Sequence, residues 1–553
     1  MQRKLILLVL VLAVAFGTGI AGAQEKILEI GMQQEPDGFG SMFSMVAATQ
    51  VEAMIKPGLL YRDNEWDLHP NMAVYQPNVQ DGTWIVDEEN ETMVVHWQLR
   101  NDLYWHDGEQ ITAHDYVLGY NVHMHPDYPA ITKTVAGYIE EIEVINDFEF
   151  KLHFNQLYPF ADALTGFDPL PSHIFQEYYD NDNIEGLVEH DYWRTGFFGA
   201  GPYKIADWVA GSHIELVANE NYHLGEPNID VIVVRFVEDT ETLRFMIETG
   251  EVQASIGPTI PFDTAVALQR SVDPQEIHVE FFEATTWEHI DLNNRDFKPF
   301  DDARVRRALM HATDREEIME TVFEGVISPA HTFQTEVHPL FSEEAADIIT
   351  TYEYNPERAE ALLAAAGFVR DENGIMTHQE SGEKLILDFR TTAGNAMREL
   401  AQQIIAEQWS EVGIQVEINN MTAGALFDPD HFYKREWPNM ILFAWSSYPT
   451  SLPNTLWHKD NIPREENNWE GQNVAGWYNE EASEIIDEMM NEMDPQRRQE
   501  LNTRLLQLWT YEIPSLPLFF RVENVFWHTN VTGIKPTGSA DPDTWNVHEW
   551  DIQ

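Results

Sequence analysis

A chain of 553 residues without a single cysteine has to be held together by its own core. Disulfides, thiolate metal sites, a cysteine nucleophile and an N-terminal lipid-bearing cysteine are all excluded. The length suffices for that core: at roughly 100–200 residues per domain it corresponds to two to four domains. No low-complexity linker, fixed-period repeat or disorder-prone block interrupts it, so the sequence reads as one compact architecture.

Arg3 and Lys4 precede an apolar run from Leu5 to Phe16, followed by Ala21-Gly22-Ala23. This is the pattern of a secretory signal with a small-residue cleavage site. The run is broken by Gly17, Thr18 and Gly19, short of the roughly 20 apolar residues a membrane span needs. Cleavage is expected after Ala23, leaving residues 1–23 outside the fold. The mature chain is then expected to be soluble and periplasmic.

Charge restricts the partners. The chain carries 93 acids against 33 bases, a formal net charge of −60, and losing Arg3 and Lys4 with the signal makes it −62. Nucleic acid needs clustered cations to displace its counterions, so it is an unsuitable partner. The acids are spread along the chain, as at Glu89-Asn90-Glu91 and Glu480-Glu481. A solvated acidic surface suited to high salt is the expected reading. Attraction of cationic ligands into an acidic cleft is the alternative.

Strand-like runs recur at residues 27–32, 92–99, 148–154, 214–217, 231–236, 385–389 and 414–418, and segments of helical period lie between them. Asn355 is a good N-cap with Pro356 behind it, and Gly367 closes that helix. A second helix is expected from about Asn395 to Val412, with Leu400, Ala401 and Ile404 on its apolar stripe and Gly413 stopping it. Asp301 or Asp302 can cap a third, with Val305, Leu309, Ala312, Ile318 and Val322 on its apolar face. Strands alternating with helices over this length imply an α/β architecture.

The sequence contains no His-Glu-x-x-His pair, no Gly-x-Ser-x-Gly elbow and neither glycine-rich phosphate motif. An enzyme such as a secreted hydrolase therefore has no supporting motif, and no cofactor or metal is implied. His106-Asp107-Gly108-Glu109 reads as a turn, since Asp-Gly favours one. His123 and His125 lack a clear third metal ligand and read as surface histidines. Carboxylate pairs of the glycosidase kind carry no weight among so many acids. The tryptophans are more informative, because such rings offer apolar area with a polar edge to peptides or sugars. Around Trp437, Phe443, Trp445, Tyr448 and Trp457 they are densest. Trp437 and Phe443 read as core, whereas Trp445 ends an apolar run before polar Ser446-Ser447 and a Tyr-Pro turn, where a ring can face a cleft.

Several stretches carry a family resemblance. Leu99 to Glu109, continued by Ile111-Thr112-Ala113-His114-Asp115-Tyr116, is one. Gly199-Ala200-Gly201-Pro202-Tyr203-Lys204, followed by Trp208, residues Asn219 to Tyr222 and Gly250-Glu251-Val252, is another. The most specific are Phe300-Asp301-Asp302-Ala303-Arg304-Val305-Arg306-Arg307-Ala308-Leu309, ending in Ala312-Thr313-Asp314-Arg315, and Asn355-Pro356-Glu357-Arg358-Ala359 to Gly367-Phe368. In these the chain resembles, over nearly its whole mature length, the family 5 extracytoplasmic solute-binding proteins of ABC importers for oligopeptides, dipeptides, nickel chelates or oligosaccharides.

The resemblance implies a two-lobed periplasmic binding protein fold of type II with a hinge and an extra inserted domain. Residues 24–58, 187–279 and 513–553 would form the core of lobe I, residues 59–186 its inserted subdomain, and residues 280–512 lobe II. It implies a monomeric receptor that encloses a peptide by lobe closure and delivers it to membrane permease subunits, with an oligosaccharide as the alternative ligand. Trp445, Ser447, Tyr448, Phe39 and Trp457 are the expected ligand-binding residues. In peptide-binding members the segment matching Trp445 to Tyr448 reads tryptophan, two residues, then an aspartate that pairs with the peptide ammonium. That position falls here at Ser447 or Tyr448, and neither is acidic. Either another acid replaces it, or the ligand has no amino terminus and is a sugar; burying an unpaired ammonium costs several kcal/mol.

Overall fold

The computed structural model describes residues 25–43, 46–163, 166–257, 260–467, 469–538 and 541–553. The expected signal segment lies outside them. The main sheet has ten strands among these residues: β1 (Ile27–Met32), β2 (Tyr203–Val209), β3 (His213–Ala218), β4 (Val231–Phe236), β5 (Ala254–Ser255), β6 (Ile277–Leu292), β7 (Ile386–Thr391), β8 (Gln415–Ile418), β9 (Met440–Ser446) and β10 (Ser515–His528). Their order across the sheet is β8-β7-β9-β6-β10-β5-β1-β4-β3-β2, with parallel and antiparallel pairs mixed. A separate four-stranded antiparallel sheet holds residues 84–87, 92–98, 139–146 and 149–154.

Three large apolar cores sit on this frame. One gathers Trp287, Leu309, Ile318, Trp409, Trp509 and Phe519. A second gathers Leu28, Ile30, Val51, Ile214, Ile232 and Trp550. A third, under the four-stranded sheet, gathers Trp97, Tyr116, Phe150 and Leu152. The antiparallel pair β6 and β10 joins the first core to the lobe that holds the second. Along β10, residues 515–520 are buried, 521–523 only partly, and 524–526 buried again. Along β6 the matching dip covers residues 280–283. Register also breaks there: Glu283 pairs with Val522 but Trp287 with Phe520, so four steps on β6 oppose two on β10. A bulge of this kind bends the strand and raises its twist.

The helices follow their end signals. The Asp302 side chain accepts from the Arg304 amide and starts α1 (Ala303–His311). The single helix expected over this region is two, because the Asp314 side chain caps a new start, α2 (Arg315–Phe323), by accepting from the Glu317 amide. Asn355 caps α3 (Pro356–Ala365), and Gly367 follows it at φ +93°. Asn395 caps α4 (Ala396–Glu411). Its buried face is Ala401, Gln402, Ile405 and Trp409, whereas Leu400 is 38% exposed. The apolar stripe expected through Leu400 is thus rotated by about one position, since Gln402 satisfies its amide on the Phe389 carbonyl and the Asn420 side chain and so can be buried.

The motif residues mostly turn out to be structural. Arg315 is buried and donates to the carbonyls of Ala330 and Tyr352. Arg306 donates to those of Phe300, Glu512 and Ile513. Gly201 approaches Ile55 so closely that a Cβ would lie 2.5 Å from the Ile55 carbonyl oxygen. Next to the bulge, Glu288 on β6 is fully buried and accepts from Arg398 at 2.9 and 3.0 Å and from Arg521 at 2.9 and 3.0 Å.

Removing one partner of such a group strands a charge in the interior, at a cost of about 3–5 kcal/mol. Arg398→Met is accordingly expected to lower the unfolding free energy by about that amount in urea titrations, and a loss below about 1 kcal/mol would mean Arg521 alone satisfies Glu288.

Candidate functional site

Where β6 and β10 leave the cores, a cavity of about 890 Å³ opens against them. Its floor is Glu280, Phe282 and Glu283 of β6 with Phe520 of β10. One wall is the hairpin tip Asn64–Trp66 with Pro536–Gly538. The facing wall is the segment from Ser328 to Val337, completed by Phe341 and Ile349. The size and the mix of apolar and polar lining match a small-ligand site.

Hydrogen bonds hold the facing wall. Arg315, whose ordinary pKa is pushed down to about 10 by burial, grips the Ala330 carbonyl. The Asn502 amide donates to Gln334 Oε1 at 2.7 Å, and Gln334 Nε2 donates to His338 Nδ1 at 3.0 Å. With Nδ1 accepting, His338 Nε2 carries the proton and donates to the Tyr448 carbonyl at 3.1 Å. Burial pushes the His338 pKa down to about 4, so this neutral tautomer persists at neutral pH. From the opposite wall, the Trp66 indole donates to the Thr537 carbonyl at 2.7 Å and meets the His338 ring edge-on, centroids 6.2 Å apart. Trp66 holds φ +70°, a left-handed conformation rare for a bulky residue.

The residues expected from sequence fall in different places. Trp445 is half-buried, against Phe443 and Phe432. Ser447 donates to the Thr285 carbonyl beside the bulge, while the Tyr448 ring is 53% exposed. These three share the segment that abuts the hinge strands. Phe39 is fully buried against Phe197 and Trp208, and Trp457 is 2% exposed among Trp287, Phe333 and Trp509. None of these five residues lines the cavity. Trp437 and Phe443 are core, as read. His106 lies in a turn, its Nε2 donating to the Gly201 carbonyl. His123 is not a surface residue: it is 4% exposed, between the Thr132 carbonyl and Ser41. Among the described residues no group of three or more His, Asp and Glu side chains could hold a metal ion.

Sequence reasoning missed Trp66, Phe282, Glu283, Glu336, Val337 and Phe520. The charged residues in β6 disguised the strand that carries two of them. Its distinguishing feature is length, since 16 residues exceed the roughly 3–10 usual for a strand.

On β10, opposite Phe282, burial and the neighbouring Asp543 push the Glu523 pKa up to about 7, with Arg521 acting in the other direction.

Comparison with known proteins agrees with this geometry. A family model described as bacterial extracellular solute-binding proteins, family 5, middle region, matches residues 70–462. The oligopeptide-binding protein AppA of Bacillus subtilis is 24% identical over 95% of this chain and 91% of its own. Di/tripeptide-binding protein 2 of Pseudomonas aeruginosa is 24% identical over 95% of each. The crystal structure of an oligopeptide-binding protein from Thermus thermophilus, complexed with a pentapeptide, superposes with a TM-score of 0.67 at 25% identity, covering 95% of this chain and 96% of that one.

A carboxyl whose pKa is raised on folding adds stability that is complete below its unfolded value of ~4.3 and disappears as pH rises through about 7. Glu523→Gln is therefore expected to match the parent near pH 4 in urea unfolding and to exceed it by on the order of 1–3 kcal/mol at pH 8. Parallel stability curves across that range would show that Glu523 is ionised and satisfied.

Proposed function

This chain belongs to family 5 of the bacterial extracellular solute-binding proteins, and from that premise we propose that it is the periplasmic receptor of an ABC importer for peptides. The observation that carries the reading is the cavity between the hairpin tip of one lobe and the Ser328–Val337 wall of the other, floored by the two strands that join them. A ligand there touches both lobes only when they are together, so it shifts the population toward the closed form.

The chemistry of the walls suits an extended peptide. Phe282, Val337, Phe341 and Phe520 offer apolar surface, and polar side chains and backbone groups lie between them. Water bridging to such groups tolerates varied side chains. The Bacillus and Pseudomonas relatives are named as peptide receptors, which favours a peptide over an oligosaccharide. The reading includes cleavage after Ala23, no enzymatic turnover, a monomer, and a lobe I of residues 24–58, 187–279 and 513–553 with residues 59–186 inserted and residues 280–512 as lobe II. Among the described residues no helix is long and apolar enough to cross a membrane. Trp445, Ser447 and Tyr448, on the segment against the hinge, belong to the ligand contacts in this reading.

A second element concerns salt. With a net charge of −60 the folded surface repels itself, and counterions relieve that repulsion.

Two measurements test the reading. In a thermal-shift screen of the mature protein, pooled peptides should raise the melting temperature by mass action and pooled oligosaccharides should not; a rise with sugars alone would overturn it. Lowering KCl from about 2 M to about 0.1 M should lower the melting temperature, whereas an unchanged or higher value would remove the high-salt element and leave the receptor reading intact.

A further inference from the structure

The segment Trp445–Tyr448 carries no acid, and the Tyr448 carbonyl already accepts from His338. A peptide ammonium in this site must therefore find its acceptors elsewhere. We propose that it is held between Glu283 on the hinge strand and Glu336 on the facing wall, with the Thr335 hydroxyl as third acceptor. This rests on the peptide reading above and names the part of that site which recognises charge.

Both residues line the cavity, Glu283 on its floor from β6 and Glu336 on the adjoining Ser328–Val337 wall. Both are solvent-accessible in the concave lining. A chain this acidic places carboxylates on every surface, but most of those flanking the hinge are already engaged. Glu288 is satisfied by Arg398 and Arg521, Asp543 by the Thr537 and Gly257 amides, and Glu280 faces His278 at 3.3 Å. Glu283 has a hydrogen bond from the Ser328 backbone, and no ion pair joins it or Glu336 to any described residue. The cavity lining contains no lysine or arginine, and its one histidine, His331, is kept neutral at pH 7 by burial.

Thr335 supplies the independent sign of a ligand. It lines the cavity, is 3% exposed, and its hydroxyl has no hydrogen-bond partner among the described residues. Buried hydroxyls are ordinarily paired. A primary ammonium has three N–H donors and no acceptor, which matches two carboxylates and one hydroxyl. The raised pKa of Glu283, caused first by burial and then by the charge of Glu336, is the expected state of two acids that face each other without a cation. A cation between them would turn that repulsion into attraction.

The test is calorimetry with a pool of pentapeptides free of Lys, Arg and His, offered with free amino termini and, separately, Nα-acetylated. The wild-type protein should bind the free pool at least about tenfold more tightly than the acetylated pool. Glu283→Gln and Glu336→Gln should each bring that ratio close to one. The wild-type preference should also weaken as pH falls below 7, because Glu283, its pKa raised by burial and by Glu336, takes up a proton; Glu65, Glu280 and Glu336 line the same cavity, and Glu523 and Arg521 lie on the paired strand. Equal affinity of the wild type for both pools, or variants that keep the preference, would overturn the assignment while the peptide reading stands. No binding of either pool would overturn both.

Discussion

Everything in this molecule depends on two antiparallel strands that pass from one core to another. β6 and β10 are buried toward both ends and only partly buried in the middle, where four residues of one oppose two of the other. Ladder hydrogen bonds keep the pair continuous, and the bulge gives it a place to bend. A single broad sheet can thus serve two lobes, since its ends are clamped by separate apolar cores and its centre is left to flex.

The buried charges are arranged to keep that bending local. Glu288 and its two arginines fasten one side of the bulge, while Asp543, holding the Thr537 and Gly257 amides, fastens the other. Between these fastenings lie Glu283, Thr285 and Glu523, which border the cavity or the segment that abuts it. The bulge and part of the cavity lining therefore share the same few residues, so a ligand bound there would act directly on the crossing. The Trp66 indole, which meets the His338 ring edge-on, marks how closely the walls approach.

How much of this was legible in the sequence depended on the kind of signal. Helix ends were readable because caps are local: Asn355, Asn395 and Asp302 each accept from an amide two or three residues on. The short strands β1 and β4 were readable as apolar runs with the ends they have here. Both crossing strands escaped, because Glu288, Asp291, Arg521 and Glu523 interrupt their apolar pattern, and those charges are tolerated only through partners remote in sequence. The cavity escaped for a related reason. Trp66 and Glu336 lie far apart along the chain, and no spacing rule brings them together. Phe39 and Trp457 had the composition of ligand contacts, but burial depends on tertiary neighbours such as Phe197 and Trp509.

The central claim is that a peptide draws two lobes together about the β6–β10 crossing. Small-angle X-ray scattering of the mature protein in high salt, with and without a saturating peptide pool, tests it most directly. The expected result is a fall in the radius of gyration on adding peptide, to a profile that the present structure reproduces. Scattering that stays unchanged while calorimetry reports peptide binding would contradict closure about this hinge.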